Sequence, residues 1–355
     1  MTRPTAAAAG LVVLAALTFG CERSAAESTP GGSAPAAAGG ESAEEAPPPI
    51  PEPLALLPSD AFAVVDVNMN RLRDSPYHDP AVQWLQGQLT PSPERQAVGR
   101  RMLAKTERVL VGVLPPGAQG DHPEAVVVAQ GDYGPGELEE FMRQAGEPVA
   151  EVHTIEGHRV FVEKDVWAAE VPGPTWVFAS ASWIRGLLER TRPGMHDPSP
   201  FERQNLQAMA DRIDFGHAMI TAVAEVLPRA RDELGDDRWF ARDTGQALRE
   251  VGVRADLPGG ADLEVVVHTA DATSARDFAQ RTGELIQWAG GNVFVGMLGL
   301  GPVFDATEVR AEQRSAVLDL HLEDADVRRL IARLEAMAGP LLQQQGVELQ
   351  VDSPP

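Results

Sequence analysis

The chain reads as an α+β protein: two tandem repeats of a largely antiparallel sheet packed with helices, preceded by a signal peptide and a disordered linker. Three observations predict this. Short valine-rich runs with a period of two alternate with longer runs whose apolar residues recur at helical spacing. Neighbouring strand runs are often parted by a few turn residues, a connection that only antiparallel strands allow. The same order of elements occurs twice, with matching residues.

Order begins at Leu54, and 62–68 is the first strand. Asp79 as N-cap and Pro80 at the first helical position open a helix carrying Val82, Leu85 and Leu89. A second helix covers 92–104. Strands at 108–114 and 124–130 flank a Pro/Gly loop, and Pro135 starts a helix with Leu138, Phe141 and Met142. A hairpin, 149–155 and 158–163, turns at Glu156-Gly157. A second, 166–171 and 175–180, turns at Pro172-Gly173-Pro174, and helix 182–190 shows Ile184, Leu187 and Leu188 on its apolar face.

In the second half Ser199 and Glu202 form a capping box around Pro200. It opens a helix carrying Leu206, Met209 and Ile213, which leads to a strand at 217–223. Long strands at 246–255 and 262–269 surround Pro258-Gly259-Gly260. Helix 272–288 carries Phe278, Leu285 and Ile286. Strands at 307–312 and 315–322 precede a last helix, 324–342.

The residue matches run in order. Val111-Gly112-Val113 meets Val251-Gly252-Val253, and the triple Val126-Val127-Val128 meets Val265-Val266-Val267. Phe141 meets Phe278, Glu151-Val152 meets Glu308-Val309, and Val160 meets Val317. A repeat this long is a duplicated domain, not a solenoid unit. The expected units are 54–195 and 196–355.

Ahead of them, Arg3 gives a minimal positive start, 6–19 is apolar and uncharged, and Gly20 precedes Cys21, the chain's one cysteine. The apolar run has signal-peptide length. Leu17-Thr18-Phe19-Gly20-Cys21 resembles the end of a bacterial lipoprotein signal, although Thr18 and Phe19 stand where that class favours Leu and then Ala or Ser. The resemblance implies that 1–20 is removed and that Cys21 carries lipid. An ordinary secretory signal is the alternative. A lone thiol in an exported chain has no internal partner, and lipidation accounts for it. Residues 21–53 are rich in Ala, Gly, Pro and Glu and hold little that could be buried, so a disordered tether is expected. Glu22 follows the cysteine where lipoproteins kept at an inner membrane often have Asp, which points to the outer membrane, facing the periplasm or the cell surface.

The opening Leu57-Pro58-Ser59-Asp60 before the first strand resembles exported bacterial domains of unknown function, often duplicated. That resemblance implies no activity and no site residues.

Charge and motifs narrow the function. The formal net charge is −22, with 52 acidic and 30 basic residues, and Lys105 and Lys164 are the only lysines. This balance repels nucleic acid and anionic head groups and suits a cationic partner or a salty setting. Neither lysine follows a glycine, so there is no P-loop, and Gly299-Leu300-Gly301 lacks the third glycine of a dinucleotide fingerprint. There is no G-x-S-x-G, S-x-x-K or H-E-x-x-H. No catalytic residue, metal ligand or cofactor is predicted. His153 and His158 would share a sheet face diagonally, and His321 lies near Glu323, Asp324 and Asp326. Both groups read better as structural than as metal centres.

Residues 285–304 carry no charge and include five glycines. Trp288, Phe294, Met297 and Leu298 would either complete a core or contact an apolar ligand or partner. The expected function is a membrane-tethered cell-envelope lipoprotein acting as a binding or interaction module. Its partners are the membrane, through lipid on Cys21, and an envelope protein or apolar ligand. A carrier of lipid or another apolar ligand using 285–304 is the alternative, and an enzyme of unrecognised class the third.

Overall fold

A single row of side chains crosses the middle of the molecule: Val126, Gly112, Val64, Val223, Gly252, Val266, Val317. It crosses strands from both halves, because both halves contribute to one sheet. The computed structural model describes residues 52–79, 93–115, 124–145, 151–163, 166–192, 198–235, 242–292, 295 and 300–333. Their strands are β1 (Ala63–Asn68), β2 (Thr106–Leu114), β3 (Glu124–Gly131), β4 (Glu151–Ile155), β5 (His158–Glu163) and β6 (Val166–Val171). There follow β7 (Thr175–Ala179), β8 (Ile220–Glu225), β9 (Leu248–Asp256), β10 (Gly260–Thr269), β11 (Thr307–Glu312) and β12 (Ser315–Glu323). The order across the sheet is β11-β12-β10-β9-β8-β1-β2-β3-β7-β6-β5-β4. Every neighbouring pair is antiparallel. The expected α+β class with a largely antiparallel sheet is what the chain forms.

The helices are α1 (Met69–Asp74), α2 (Pro93–Lys105), α3 (Glu137–Ala145), α4 (Ala181–Glu189), α5 (Gln204–Arg212), α6 (Pro228–Gly235), α7 (Arg242–Ala247), α8 (Ala272–Gly290), α9 (Gly301–Asp305) and α10 (324–333). They cover both faces of the sheet. That is why the central strands read as continuous apolar runs: Val64 and Val65 point to opposite faces and both are buried. On the first face Leu56 and Leu57, the apolar stripe of α4, and Met209 and Ile213 pack with Val64, Val126, Val223 and Val266. On the second, α3 places Leu138 and Met142 against Phe161 and Trp176. Also on that face, Val303 of α9 and Val327 of α10 pack with Leu320 and Leu322 of β12.

The row explains two glycines. A Cβ on Gly252 would stand 2.6 Å from Met209 Sδ and 2.7 Å from Ile213 Cγ2. A Cβ on Gly112 would stand 3.2 Å from Leu57 Cδ2. Each glycine leaves room for the chain that precedes its neighbouring strand, α5 before β8 and the turn before β1.

Several expectations need correction. Ser199 and Glu202 do form a capping box, but around a short 3-10 turn, Pro200–Glu202, and α5 starts afresh after Arg203. The strand expected at 217 begins at Ile220, because the chain turns sharply at Asp214 and Gly216. Helices α1, α6, α7 and α9 were not foreseen. α6 and α7 are polar and lack apolar periodicity. The Gly-Pro of α9 reads as a breaker in sequence, yet proline suits the first turn of a helix. Val317 on β12 lies beside β10, whereas Val160 sits on β5, two strands beyond the β7 that borders β3. The match of Val160 with Val317, and with it Glu151-Val152 with Glu308-Val309, therefore fails. The helix expected from Pro80 and the end of the one expected to reach 342 lie outside the described residues. So do residues 1–51.

A buried phenol of the first half holds α10. Tyr77 donates to Asp324 Oδ1 at 2.6 Å, and Arg328 lies 5.9 Å over its ring. Burial, then the hydrogen bond to Asp324, pushes the Tyr77 hydroxyl up from 10.0 to about 12. Its protonated form is thus favoured by folding, so this stabilisation is complete below pH 10 and is lost as pH rises towards 12. The unfolding midpoint of the wild-type protein should fall across that window more steeply than that of Tyr77→Phe, as urea titrations at stepped pH would show. Equal slopes would detach Tyr77 from the alkaline loss.

Candidate binding cleft at the seam

The two halves meet where β1 pairs with β8, and the polar centre of that seam starts from one residue. Asp66 interrupts the run Val64-Val65-Asp66-Val67 and is 1% exposed. A buried carboxylate needs compensation. Arg108 of β2 supplies it with a two-pronged contact, Nε to Oδ1 and Nη2 to Oδ2, both 2.8 Å. These hydrogen bonds raise the Arg108 pKa above its ordinary value, against the opposing effect of burial.

A turn closes over this pair. α5 ends with Asp214 in the left-handed region at φ 55. The Asp214 N–H donates to Asp211 O at 3.4 Å and the Phe215 N–H to Ala210 O at 2.9 Å, the paired bonds that end a helix with a left-handed residue. Gly216 follows at φ 83, and its N–H donates to Thr221 Oγ1 at 3.0 Å. Thr221 stands opposite Asp66 in the sheet. A Cβ on Gly216 would lie 3.0 Å from Arg108 Nη2 and 3.3 Å from Asp66 Oδ2, so this close approach requires glycine.

The turn also orients a carboxylate outward. Asp214 Oδ1 contacts His217 Nδ1 at 2.9 Å and Oδ2 accepts from Arg254 Nη1 at 3.2 Å. Behind it Asp256 Oδ1 accepts from the Met219 N–H at 2.9 Å and from Arg71 Nη1 at 3.3 Å. Between this turn and Glu52 to Leu54 lies a cleft of about 620 Å³. Its walls include Glu52 and Leu54, Arg108, Asp211 and Asp214, and the ring pair Phe201 and Phe215, edge to face at 4.8 Å. The volume falls within the span of small-molecule sites. Carboxylates, a guanidinium matched by Asp66, the His217 imidazole and aromatic walls are the chemistry this cleft presents.

A second cleft, of about 350 Å³, lies further along the same sheet face among Arg254, Asp256, Asp262, Glu264, Asp319 and His321. Its charges engage one another and their neighbours: Arg212 contacts Glu264 at 3.0 Å, Arg310 pairs with Asp319, and His321 pairs with Asp262.

The residues singled out from sequence lie elsewhere. Trp288 is on α8 and 59% exposed. Phe294, Met297 and Leu298 lie outside the described residues, as does Cys21. The uncharged stretch is partly helical, since α8 runs to Gly290 and α9 begins at Gly301. α9 packs on the face opposite the two clefts. His153 and His158 share a face, but His158 contacts Glu170 O at 3.1 Å and Thr191 Oγ1 at 3.0 Å, while His153 stacks on Trp167. Among the described residues no group of three or more His, Cys, Asp or Glu could hold a metal ion, and no helix is long and apolar enough to cross a membrane. Sequence reasoning missed Asp66, Arg108 and Asp214. An aspartate inside a valine run was the available signal, since charged residues are rarely buried without a partner.

Fold and cleft together define an α+β protein built on one antiparallel sheet with a polar seam. No family model matches the chain, and no curated protein matches it. Solved structures of TP0453 are similar to it at low identity. Crystal form III overlaps at 12% identity with a TM-score of 0.47, covering 80% of this chain and 98% of that one. Crystal form IV overlaps at 10% identity with a TM-score of 0.48, covering 80% and 96%.

Proposed function

We propose that the chain is an exported cell-envelope lipoprotein, tethered through lipid on Cys21, whose body acts as a binding module at the seam cleft. One observation carries the choice of cleft: the first described residues, Glu52 to Leu54, form part of its wall. The tether would therefore deliver the body to a membrane with the cleft beside its attachment. The reading of an apolar carrier using 285–304 concerns a different surface, since Trp288 stands exposed on α8 and lines neither cleft.

Cys21→Ser should move the protein from the membrane fraction to a soluble or unprocessed form. Unchanged fractionation, with no lipid mass on the wild-type N-terminus, removes the tether. Crosslinked pull-down from the native envelope should then recover a ligand that Phe215→Ala loses and Trp288→Ala keeps. The reverse pattern would hand the role to 285–304.

We infer also that the body is a duplicated unit. The palindromic row, with Val64-Gly112-Val126 on one side of the seam and Val223-Gly252-Val266 on the other, supports it. In this register Val126 answers to Val266, one residue along from the alignment of the triple valines. β6 and β7 then answer to β11 and β12, and the β4–β5 hairpin is an addition to the first half.

A further inference from the structure

The two ends of the sheet differ in how they resist a further strand. β11 carries Glu308, Arg310 and Glu312 at every second position, and charge of this kind protects an edge. At the other end, among the described residues, β4 pairs only with β5 and leaves Glu151, Val152, His153 and Thr154 exposed. Val152, large and apolar, is 47% exposed. We propose that a second copy of this chain supplies the next strand: β4 pairs antiparallel with the partner's β4 about a twofold axis at Val152. The surface is separate from the seam cleft.

The backbone favours this axis. β4 and β5 join through the two-residue turn Glu156-Gly157. Ile155 and His158 flank such a turn as a hydrogen-bonded pair, and bonding alternates from there. Val152 and Thr154 therefore aim their N–H and C=O groups at the open side. On the axis, Val152 exchanges both bonds with the partner's Val152.

The side chains select the same register. It sets Val152 against the partner's Val152 and, twice by symmetry, Glu151 against the partner's His153. Glu151 Oε2 and His153 Nε2 already lie 3.4 Å apart within one copy, and stacking on Trp167 at 5.4 Å holds the imidazole in place. Pairing brings two such couples together in alternation. An axis at His153 would instead set imidazole against imidazole and Glu151 against Ile155. The sequence shares the symmetry, with Val149-Ala150-Glu151 before Val152 and His153-Thr154-Ile155 after it. The net charge of −22 repels a second copy at long range, but physiological salt screens it beyond about 8 Å. A strand of five residues makes a small interface, so pairing should be weak and concentration-dependent.

The test uses the full-length chain in detergent at physiological salt under mild oxidation, with Val152→Cys, His153→Cys and Thr154→Cys made singly. The wild type, which has Cys21 alone, sets the background. Opposed residues of a hydrogen-bonded pair have Cα atoms about 5.5 Å apart, within disulfide reach. Covalent dimer should therefore peak at Val152→Cys, with unchanged circular dichroism. Adding Glu151→Lys should slow this cross-linking about fivefold, because a cation replaces the accepting carboxylate at both imidazoles. Adding His153→Glu as well should restore it, since the swap re-forms both pairs with the roles exchanged.

Cross-linking no higher than wild type at all three positions would remove self-pairing. A peak at His153→Cys or Thr154→Cys would move the axis and overturn the proposal, as would a charge swap that fails to restore the rate. In the native envelope Val152→Cys should again give the homodimer. A heterologous adduct in its place would give the edge to another partner and overturn the choice of a second copy.

Discussion

Arg108→Met should destabilise the protein by about 3–5 kcal/mol, the cost of stranding a buried charge. Asp66 is 1% exposed and sits in the middle of a sheet between valines, so without its partner its carboxylate is left buried and uncompensated. The Arg108 side chain is 34% exposed, and water reaching that side should hold the loss toward the lower figure. Urea denaturation at neutral pH measures it. A second variant separates the pair from mere packing. Asp66→Leu combined with Arg108→Met removes both charges, and swapping a buried pair for apolar groups is often neutral. The double variant should therefore recover most of the stability that the single one loses. If it is as unstable as Arg108→Met, the loss comes from altered packing. The single variant should also loosen the turn at Gly216, which rests on both partners, and so weaken any ligand of the seam cleft.

Gly252→Ala should cost about 1–3 kcal/mol through overpacking, and Gly112→Ala less than about 1 kcal/mol. Both replacements occupy the same row, so strand propensity is shared and contact geometry decides. At 252 the new carbon would meet Met209 Sδ at 2.6 Å, Ile213 Cγ2 at 2.7 Å and Met209 Cγ at 3.0 Å. Two neighbours are crowded at once, and Ile213 is stiff and fully buried. The relief available is a shift of α5 away from the sheet. At 112 the nearest atom is the tip of Leu57, at 3.2 Å, which can give by a few tenths of an ångström. Thermal melts of the two variants side by side test the ordering. Because α5 carries Asp211 and ends at Asp214, the Gly252 change should also disturb the cleft, whereas the Gly112 change should not. Equal losses at the two positions would mean that α5 is not packed as closely as its partner turn.

Much of the local structure could be read directly. The strands β6, β7, β11 and β12 fall within a residue or so of expectation, because each pair of short runs flanks a tight connection, Pro172-Gly173-Pro174 or Gln313-Arg314, that leaves few alternatives. The hairpin at Glu156-Gly157 is the clearest case. Both residues adopt positive φ, and that pair of backbone states matches the right-handed twist of the flanking strands. Where periodicity was weak the reading failed. α6 and α7 are short and polar, so nothing in their spacing marks a buried face. The start of β8 was placed too early because His217, Ala218 and Met219 look like strand, while the helix end at Asp214 and the glycine after it consume those residues in a turn.

The sequence by itself determined the class of fold, the direction of strand pairing, and the acidic balance that disfavours nucleic acid. It also held the lipoprotein-like start and the valine and glycine matches between halves. These depend on residues near one another, or on sums over the chain. Only the tertiary structure decided that β1 and β8 join the halves into one sheet, and that Asp66 and Arg108 meet 42 positions apart. It alone set Asp214 against Arg254 and placed Glu52 to Leu54 beside the cleft. The physical reason is the range of the interactions. A hairpin or a cap is fixed by backbone geometry over a few residues. The partner of a buried charge is fixed by which strands lie side by side, and strand order is a property of the whole packed chain.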